Sequence, residues 1–592
     1  MAIEYLNGKR LYYGFISGAN EIIRHQDILN RINVFPVADS DTGTNLASTM
    51  KAVINNARFS KSFNMTVDAI ANAALEGSRG NSGIIFSQFL YGLSKEITHK
   101  SKIDADDFVY AVKKAVKYPY NSLSNPVEGT IITVMKAWAE SIEQTKDVTV
   151  DFKTLLSESL KTARQELKDT TKQLEVLKEL DIVDAGAMGF VFFIEGIVEF
   201  MKTGTLKSVK REVFGVREEI SVSVEEGMDF KYRYCTEALI EGQNIEREQI
   251  LKKLKVFGGS AIVAGDDQKV KMHVHTDDPA HVISSLRPFG RIFNQKVDDM
   301  RLQYRLINEK RSKIALVTDS ACDLPQEVLD YYNISLVPIT LSFGEDSYLD
   351  KVTMTPDLFY TMLDSEEEHP KTSQPSEGTF TALFSFLTKH YDSIIAIHLS
   401  SKLSGTWNIS KIAAEKMPEK KIDVIDSKHL SGSLGLLVLR AAEAINSGRS
   451  HEEVVEAMDV WASKAKIYVG VNTLKFMVRG GRVSPMQGWI GNLINLKPIV
   501  SLDEQGKGIT FGKSFSQMGS IKKIMQALEE SAKKGDLKEY VVLHAHSKEF
   551  AEKCARLFEK VLYKKPTYIM DISPVIGLSA GIGAVAVALM ET

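Results

Sequence analysis

Asp39, Asp41 and Asn45 fall within seven residues of "VFPVADSDTGTNLASTM". Two carboxylates two positions apart repel each other unless a cation or water neutralises them. Aspartate oxygens are hard ligands, and Mg²⁺ favours one or two carboxylates together with phosphate oxygens and water. In an extended loop Asp39 and Asp41 share parity and project to one side. Thr42, Thr44 and Asn45 follow at the start of a predicted helix, where free N–H groups and the helix dipole favour an anion. On its own the stretch reads equally well as a Mg²⁺-phosphate site or as an Asp or Thr helix cap beside a solvated carboxylate.

Three later breaks have the same texture. "EGSRGNSGIIFSQ" places Gly77, Gly80 and Gly83 three apart before an apolar helix, with Arg79, Asn81 and Ser82 as donors. Glycine lets a backbone approach a phosphate closely, or lets two helices pack closely. The spacing is not that of a P-loop. "NPVEGTIITVMK" turns into a helix that Thr130 can cap, and "DIVDAGAMGFVFF" carries Asp184, Ala185 and Gly186 into another. Each is an ordinary turn when taken singly; four in one helical region point to a shared anion site.

Further along, Cys235 in "YRYCTEAL" precedes His273 and His275 in "VKMHVHTDD". A His-x-His on a strand presents both imidazoles on one face. With a thiolate from a neighbouring strand they can hold Zn²⁺; the alternative is a buried cysteine and two ordinary histidines. The second such pair, His544 and His546, has no evident thiol partner and reads as structural. In the last third, strand ends and helix starts are rich in hydroxyls: "VTDSACD", "KTSQPSEGTF", "LSSKLSGTWN" and "VIDSKHLSGS". Ligands of open α/β sheets bind beyond the carboxyl ends of the strands, so these hydroxyls suit a carboxylate, although any one of them can equally be a helix cap.

The elements that position these residues change texture twice. The chain has 592 residues, enough for three or four domains at roughly 150 residues each. Residues 1–204 show apolar positions at three- and four-residue spacing and read as an all-α domain. Residues 205–309 alternate like strands ("EISVSVEE", "YCTEALIEG", "SAIVAGDDQKVKMHVHTDD", "GRIFNQKVDD") with short helices between, and form a middle α/β domain. From 310 to 592, strand, loop and helix recur, which predicts an α/β domain with a largely parallel sheet. The apolar run "ISPVIGLSAGIGAVAVALM" carries proline, serines and glycines and reads as a buried glycine loop with a core segment rather than as a membrane span. A net charge of −3 without a basic stripe gives no case for nucleic acid. Three scattered cysteines and no signal-like start fit a cytoplasmic protein.

The motifs "DSDTGTN", "RGNSG", "EGT" and "DAGAMG", in this order, resemble the nucleotide-binding (DhaL-type) domain of the dihydroxyacetone kinase family, and "NVFPVADSDTGTN" more narrowly resembles the catalytic subunit of bacterial fatty acid kinase. The resemblance implies an antiparallel helical barrel with ATP at its rim. Asp39 and Asp41 would hold Mg²⁺. Thr44, Asn45, Gly80, Asn81, Ser82, Gly83, Thr130, Asp184, Ala185 and Gly186 would line the ATP site. Relatives carry a third aspartate upstream; the nearest polar residue here is Asn33. Cys235, His273 and His275 match a zinc site of the fatty acid kinase middle domain. "VTDSACDLP", "TSQPS", "LSSKLSGT", "VIDS" and "VRGGRVSP" resemble the DegV family of fatty-acid-binding proteins, which implies a lipid carboxylate near Thr372, Ser373, Ser404 and Gly405. Two departures stand out: Ser579 replaces an expected histidine in "GLSAGIG", and "GKSFSQMGS" lacks an expected arginine. The resemblances imply a kinase acting on a fatty acid or another small lipid, held in cis or by a separate acyl-binding protein, in a homodimer. A dihydroxyacetone kinase-like enzyme and a non-catalytic lipid-binding regulator are the alternatives.

Overall fold

The computed structural model describes residues 2–35, 41–206, 231–365, 369–473, 476, 496–533 and 537–592. Asp39, "EISVSVEE" and "VRGGRVSP" lie outside the described residues. The chain forms two compact units, Met1–Met300 and Arg301–Thr592.

The first unit opens with helices α1 (Gly8–Arg24), α2 (Gln26–Arg31), α3 (Thr42–Asn56), α4 (Phe63–Gly77), α5 (Gly80–Glu96), α6 (Ala105–Ala115), α7 (Lys117–Ser122), α8 (Ile131–Lys146), α9 (Phe152–Gln173), α10 (Glu175–Leu180) and α11 (Ala185–Thr203). Contacts run from α1 to α4, α5, α6, α8, α9 and α11 in turn, and α11 returns to α1, so the helices close a ring; α3 packs on α1, α4, α5 and α11. Local signals set the ends. Asp104 accepts the Asp107 N–H to start α6, whose first turn is acidic and last turn basic, as the helix dipole favours. Inside the ring the pairs Phe86–Phe193, Phe89–Trp138, Phe89–Phe190 and Trp138–Phe190 meet edge to face, the arrangement aromatic quadrupoles prefer.

The same unit contains an antiparallel sheet of strands β3 (Tyr234–Glu241), β4 (Gly258–Gly265), β5 (Lys269–Thr276) and β6 (Arg291–Asp299), in the order β4-β5-β3-β6; the two-residue strands β1 (Leu6–Asn7) and β2 (Lys102–Ile103) pair separately. Helices α12 (Arg247–Phe257) and α13 (Pro279–Leu286) connect its strands. Alternation divides the sheet. Ala238, Ile240, Val270, Met272 and Val274 are apolar and buried on one side, while Cys235, Glu237, Lys271, His273 and His275 share the other. Ile262 and Ala264 of β4 belong to that second face by register and join the core of the helical ring. The polar face of the sheet is therefore turned toward the helices.

The segment "MRLQYRLINEKRSK" begins with helix α14 (Met300–Asn308). The second unit holds a parallel sheet in the order β13-β12-β7-β8, from β7 (Ile314–Asp319), β8 (Ser335–Val337), β12 (Ser393–His398) and β13 (Lys421–Asp426). The expectation of a largely parallel sheet holds there only. A six-stranded sheet runs β16-β15-β14-β19-β17-β18, with β14 (Ala465–Gly470), β15 (Lys497–Leu502), β16 (Gly508–Ser514), β17 (Leu537–His544), β18 (Ile569–Asp571) and β19 (Val585–Glu591). It is antiparallel except for the β17–β18 pair. A small antiparallel sheet joins β10 (Asp346–Leu349), β9 (Thr340–Phe343) and β11 (Lys371–Ser373). Helix Ser431–Asn446 contacts β7 of the parallel sheet and β14, β17 and β19 of the larger one, which explains why it is apolar on nearly every side. The run "ISPVIGLSAGIGAVAVALM" resolves into helix Pro574–Ala580, a glycine turn and β19. No helix among the described residues is long and apolar enough to cross a membrane.

Candidate nucleotide and metal sites

The starts of α3, α5, α8 and α11 converge. Gly80, at φ +59, comes so close to Asn45 that a Cβ there would lie 2.2 Å from Asn45 Nδ2. A Cβ on Gly83 would lie 2.5 Å from Thr49 Oγ1, and one on Gly186 would lie 3.1 Å from Ser82 Oγ and 3.4 Å from Ile131 Cβ. Three of the glycine-containing motifs and the Asp41–Asn45 stretch thus meet, and each arrives as a helix N-terminus, the end whose dipole favours an anion.

Side chains fix these starts. Asp41 occupies the N-cap position of α3 without a capping side-chain bond, and its carbonyl accepts the Asn45 N–H at 2.8 Å. Thr44 is exposed, and its hydroxyl accepts Asn30 Nδ2 at 2.9 Å. Asn33 is buried and accepts the Thr42 hydroxyl at 2.7 Å. Thr130 sits at the N-cap position of α8 but does not cap it: its hydroxyl donates to Val127 O at 2.8 Å instead. The expected Thr130 cap is corrected accordingly. The capping work falls to Asp184, 6% exposed, whose carboxylate accepts Ala187 N–H at 2.6 Å and also the N–H groups of Ile131 and Gly186. One buried carboxyl thereby binds the starts of α8 and α11 together; burial raises it to about 6 despite these donors. Asn81 Oδ1 is buried and has no hydrogen-bond partner.

Above the α5 start lies the polar face of the middle sheet. Among the described residues, Cys235, His273 and His275 form a group whose candidate ligand atoms lie within 4.8 Å of one another. Register explains it: Cys235 stands opposite His275 and Glu237 opposite His273. Cys235 Sγ is 3.7 Å from His273 Nδ1, and the two rings are 5.0 Å apart. Burial, then Glu237 and Asp298, push the thiol well above its usual range, with Asp41 a smaller contributor. Burial and the neighbouring His273 push His275 down to about 3, so its imidazole is neutral and keeps a lone pair. His273 Nε2 is buried and lacks a partner. One sulfur and two nitrogens at this separation, with an orphaned ring nitrogen, fit a tetrahedral Zn²⁺ whose charge would favour the thiolate.

Glu237 was not singled out from the sequence. It is 1% exposed, and its Oε1 accepts the Gly80 N–H at 2.6 Å while its Oε2 lies 3.1 Å from Lys271 Nζ and 3.3 Å from Arg79 Nη1. Burial alone would raise this carboxyl, but Lys271, His273, Lys296 and Arg79 hold it well below the ordinary range. The legible signal was parity: in "YCTE", Glu237 shares the face of Cys235.

In the second unit Thr372 and Ser373 lie on β11, and Gly405 faces Gln374 so closely that a Cβ would meet its Oε1 at 1.8 Å. Ser404 Oγ is 2.9 Å from Thr406 Oγ1. The "TSQPS" and "LSGT" loops therefore adjoin. Other hydroxyls in those motifs are committed elsewhere: Ser320 accepts Ile339 N–H, Ser400 donates to Gly506 O, and Ser431 donates to Asp323 Oδ2. These buried groups tie loops together and do not form part of an open cradle. Helix Pro574–Ala580, which carries Ser579, is anchored by Asp323 through Ser573 N–H at 3.0 Å and by Asp350 through Val575 N–H at 3.3 Å. His544 pairs with Asp571 at 2.9 Å, in keeping with a structural reading.

Comparison with known proteins matches each part. Residues 36–199 match the DAK2 domain, residues 231–307 the FakA-like middle domain of fatty acid kinase, and residues 313–592 the DegV family. The chain therefore combines a DAK2 domain, a middle domain of the fatty acid kinase type and a DegV-family domain, in that order. An uncharacterized protein of Staphylococcus saprophyticus is 32% identical over 320 residues, which is 52% of this chain and 58% of the relative. One from Staphylococcus haemolyticus is 32% identical over 321 residues, again 52% and 58%. The alignments thus span under two thirds of these relatives' length. Among solved structures, DegV from Bacillus subtilis, described as a fatty acid binding protein, covers 48% of this chain and 100% of its own, at 31% identity and a TM-score of 0.45. A DegV family protein from Thermus thermophilus, described in terms of fatty acid binding, covers 47% and 99%, at 27% identity and a TM-score of 0.44.

Proposed function

We propose that this chain is an ATP-dependent kinase that phosphorylates a fatty acid carboxylate. The observation that carries the reading is the convergence of four helix N-termini at Asn45, Gly80, Ser82, Ile131 and Gly186, in a chain with DAK2 and fatty acid kinase-like matches. The positive ends of these helices would favour the phosphates, with Thr44, Asn81, Gly83, Thr130 and Ala185 around the nucleotide. Asp39 and Asp41 would hold Mg²⁺, which supplies charge neutralisation at the terminal phosphates when bound. A fatty acid carboxylate oxygen attacks the γ-phosphorus in line; the bond to the bridging β–γ oxygen breaks, and ADP leaves with the acyl phosphate formed. A carboxylate nucleophile needs no general base. Cys235, His273 and His275 would hold Zn²⁺ as a fixed part of the middle domain.

The DegV-family domain would present the lipid, with its carboxylate near Thr372, Ser373, Ser404 and Gly405. Ser579 and the missing arginine favour a second arrangement, in which this domain docks a separate acyl-binding protein. A homodimer in the cytoplasm completes the proposal. Purified protein with Mg-ATP and fatty acid, with and without an added acyl-binding protein, should consume ATP; no turnover in any pairing would sink the idea. Turnover of dihydroxyacetone instead would assign the alternative small-molecule kinase, and bound lipid without any turnover a regulator. Asp41→Ala should lower activity by at least 100-fold, on the order expected when charge stabilisation is lost, with an unchanged far-UV circular dichroism spectrum.

A further inference from the structure

Glu237 stands between two sites on different parts of the first unit. It lies on β3, two residues from Cys235 and opposite His273. Its Oε1 is 3.6 Å from His273 Nδ1 and also accepts the Gly80 N–H at 2.6 Å. Gly80 is the first residue of α5 and presses on Asn45. Arg79, which precedes it, donates through its guanidinium to Glu237 and through its N–H to Thr49 Oγ1 at 3.3 Å, and the Thr49 hydroxyl in turn donates to Asn45 O at 2.8 Å. One buried carboxylate thus touches an imidazole of the Cys/His/His cluster and fixes the glycine loop from both its backbone and its arginine.

We propose that Glu237 is a positioning residue that couples the Cys235–His273–His275 cluster to the glycine loop, so that a divalent metal in the cluster tightens nucleotide binding. The inference rests on the reading of the glycine loop as part of the nucleotide site. A metal that fixes the His273 ring restricts the carboxylate lodged against it, and hence the Gly80 N–H and the start of α5. Lys271 Nζ and Arg79 Nη1 lie 3.1 and 3.3 Å from the other oxygen of Glu237, Oε2, and hold the side chain in place. A typical coupling between two sites is about 5–150-fold in affinity, and it is reciprocal.

The test uses the full chain, stripped with a chelator or reloaded with Zn²⁺, and titrated with a non-hydrolysable ATP analogue by calorimetry. The wild type is expected to bind the analogue at least 5-fold more tightly when Zn²⁺ is present, and Zn²⁺, measured against a chromophoric chelator, to bind more tightly by the same factor when the analogue is present. Glu237→Gln should still take up Zn²⁺, yet bind the analogue with the same affinity in both metal states. Glu237→Asp keeps the charge and withdraws it from Gly80 by one methylene, so it serves if the glutamine variant does not fold; it should lose the difference as well. Equal analogue affinity of the two wild-type forms overturns the coupling while leaving the nucleotide site intact. A difference that survives in either Glu237 variant overturns the role of that residue. No analogue binding to any form overturns both the coupling and the nucleotide reading beneath it.

Discussion

Asp184 shows how one carboxyl organises the helix starts, and what this costs. Three backbone N–H groups bond to it, but burial still raises it from an ordinary 3.8 to about 6. Because its folded value is raised, the native state binds more protons than the unfolded chain between these limits, and stability falls as pH rises through them. The contribution present below pH 4 and lost by about pH 7 is on the order of 3 kcal/mol. Asp184→Asn should remove this dependence: the stability of the wild type relative to the variant, from urea midpoints, should decline from pH 4 to 6 and then level off. A constant difference over that range would rule the assignment out. At this scale the sequence was legible wherever parity could be counted, as for Cys235, His273 and His275. It was not legible where a partner came from far along the chain. Glu237 meets Arg79 and Gly80 across more than 150 positions, and Asp184 meets Ile131 N–H rather than leaving Thr130 to cap its own helix.

Among the elements, α5 carries the greatest demand on backbone shape. Gly80 adopts φ +59 at its first position and abuts Asn45. A side chain in this left-handed region costs roughly 1–2 kcal/mol, and a Cβ here would also displace the Asn45 amide. Gly80→Ala should therefore destabilise the first unit by about 1–2 kcal/mol and weaken nucleotide binding, read from denaturant midpoints and calorimetry on the same samples. Helices such as α6 and α9 were legible because each buries one stripe and shows the other to water. The six-stranded sheet was not. Val585–Glu591 is buried along nearly its whole length, between strands on both sides. Such a strand has no polar alternation to announce it, and its sequence reads only as an apolar core segment.

For the molecule as a whole, the division at Met300 predicts two cooperative transitions in calorimetry, since units with separate cores unfold separately. The Cys/His/His cluster belongs to the first unit, and a metal that binds only the folded cluster stabilises that unit by mass action. Removing Zn²⁺ with a chelator should lower one transition and leave the other in place; an equal shift of both, or of neither, would contradict this. The three-part order of the chain was legible from its changes in texture. The merging of helical ring and middle sheet into one unit was not, because it depends on Ile262 and Ala264 entering a core built by helices far upstream.

The position of β19 has a consequence for synthesis. It lies between β14 and β17 and joins the three strands β16-β15-β14 to the pair β17-β18, yet it is the last of the six to leave the ribosome. Until it arrives, these strands can exist only as two fragments, each with an open edge of unpaired N–H and C=O groups, the kind of edge that recruits other chains. N-terminal domains fold first during synthesis, so the Met1–Met300 unit can be complete while the second unit still waits. A ribosome that stalls before Val585 would release a chain with a formed first unit and a sticky, half-built second one, which chaperones would meet as an aggregation hazard.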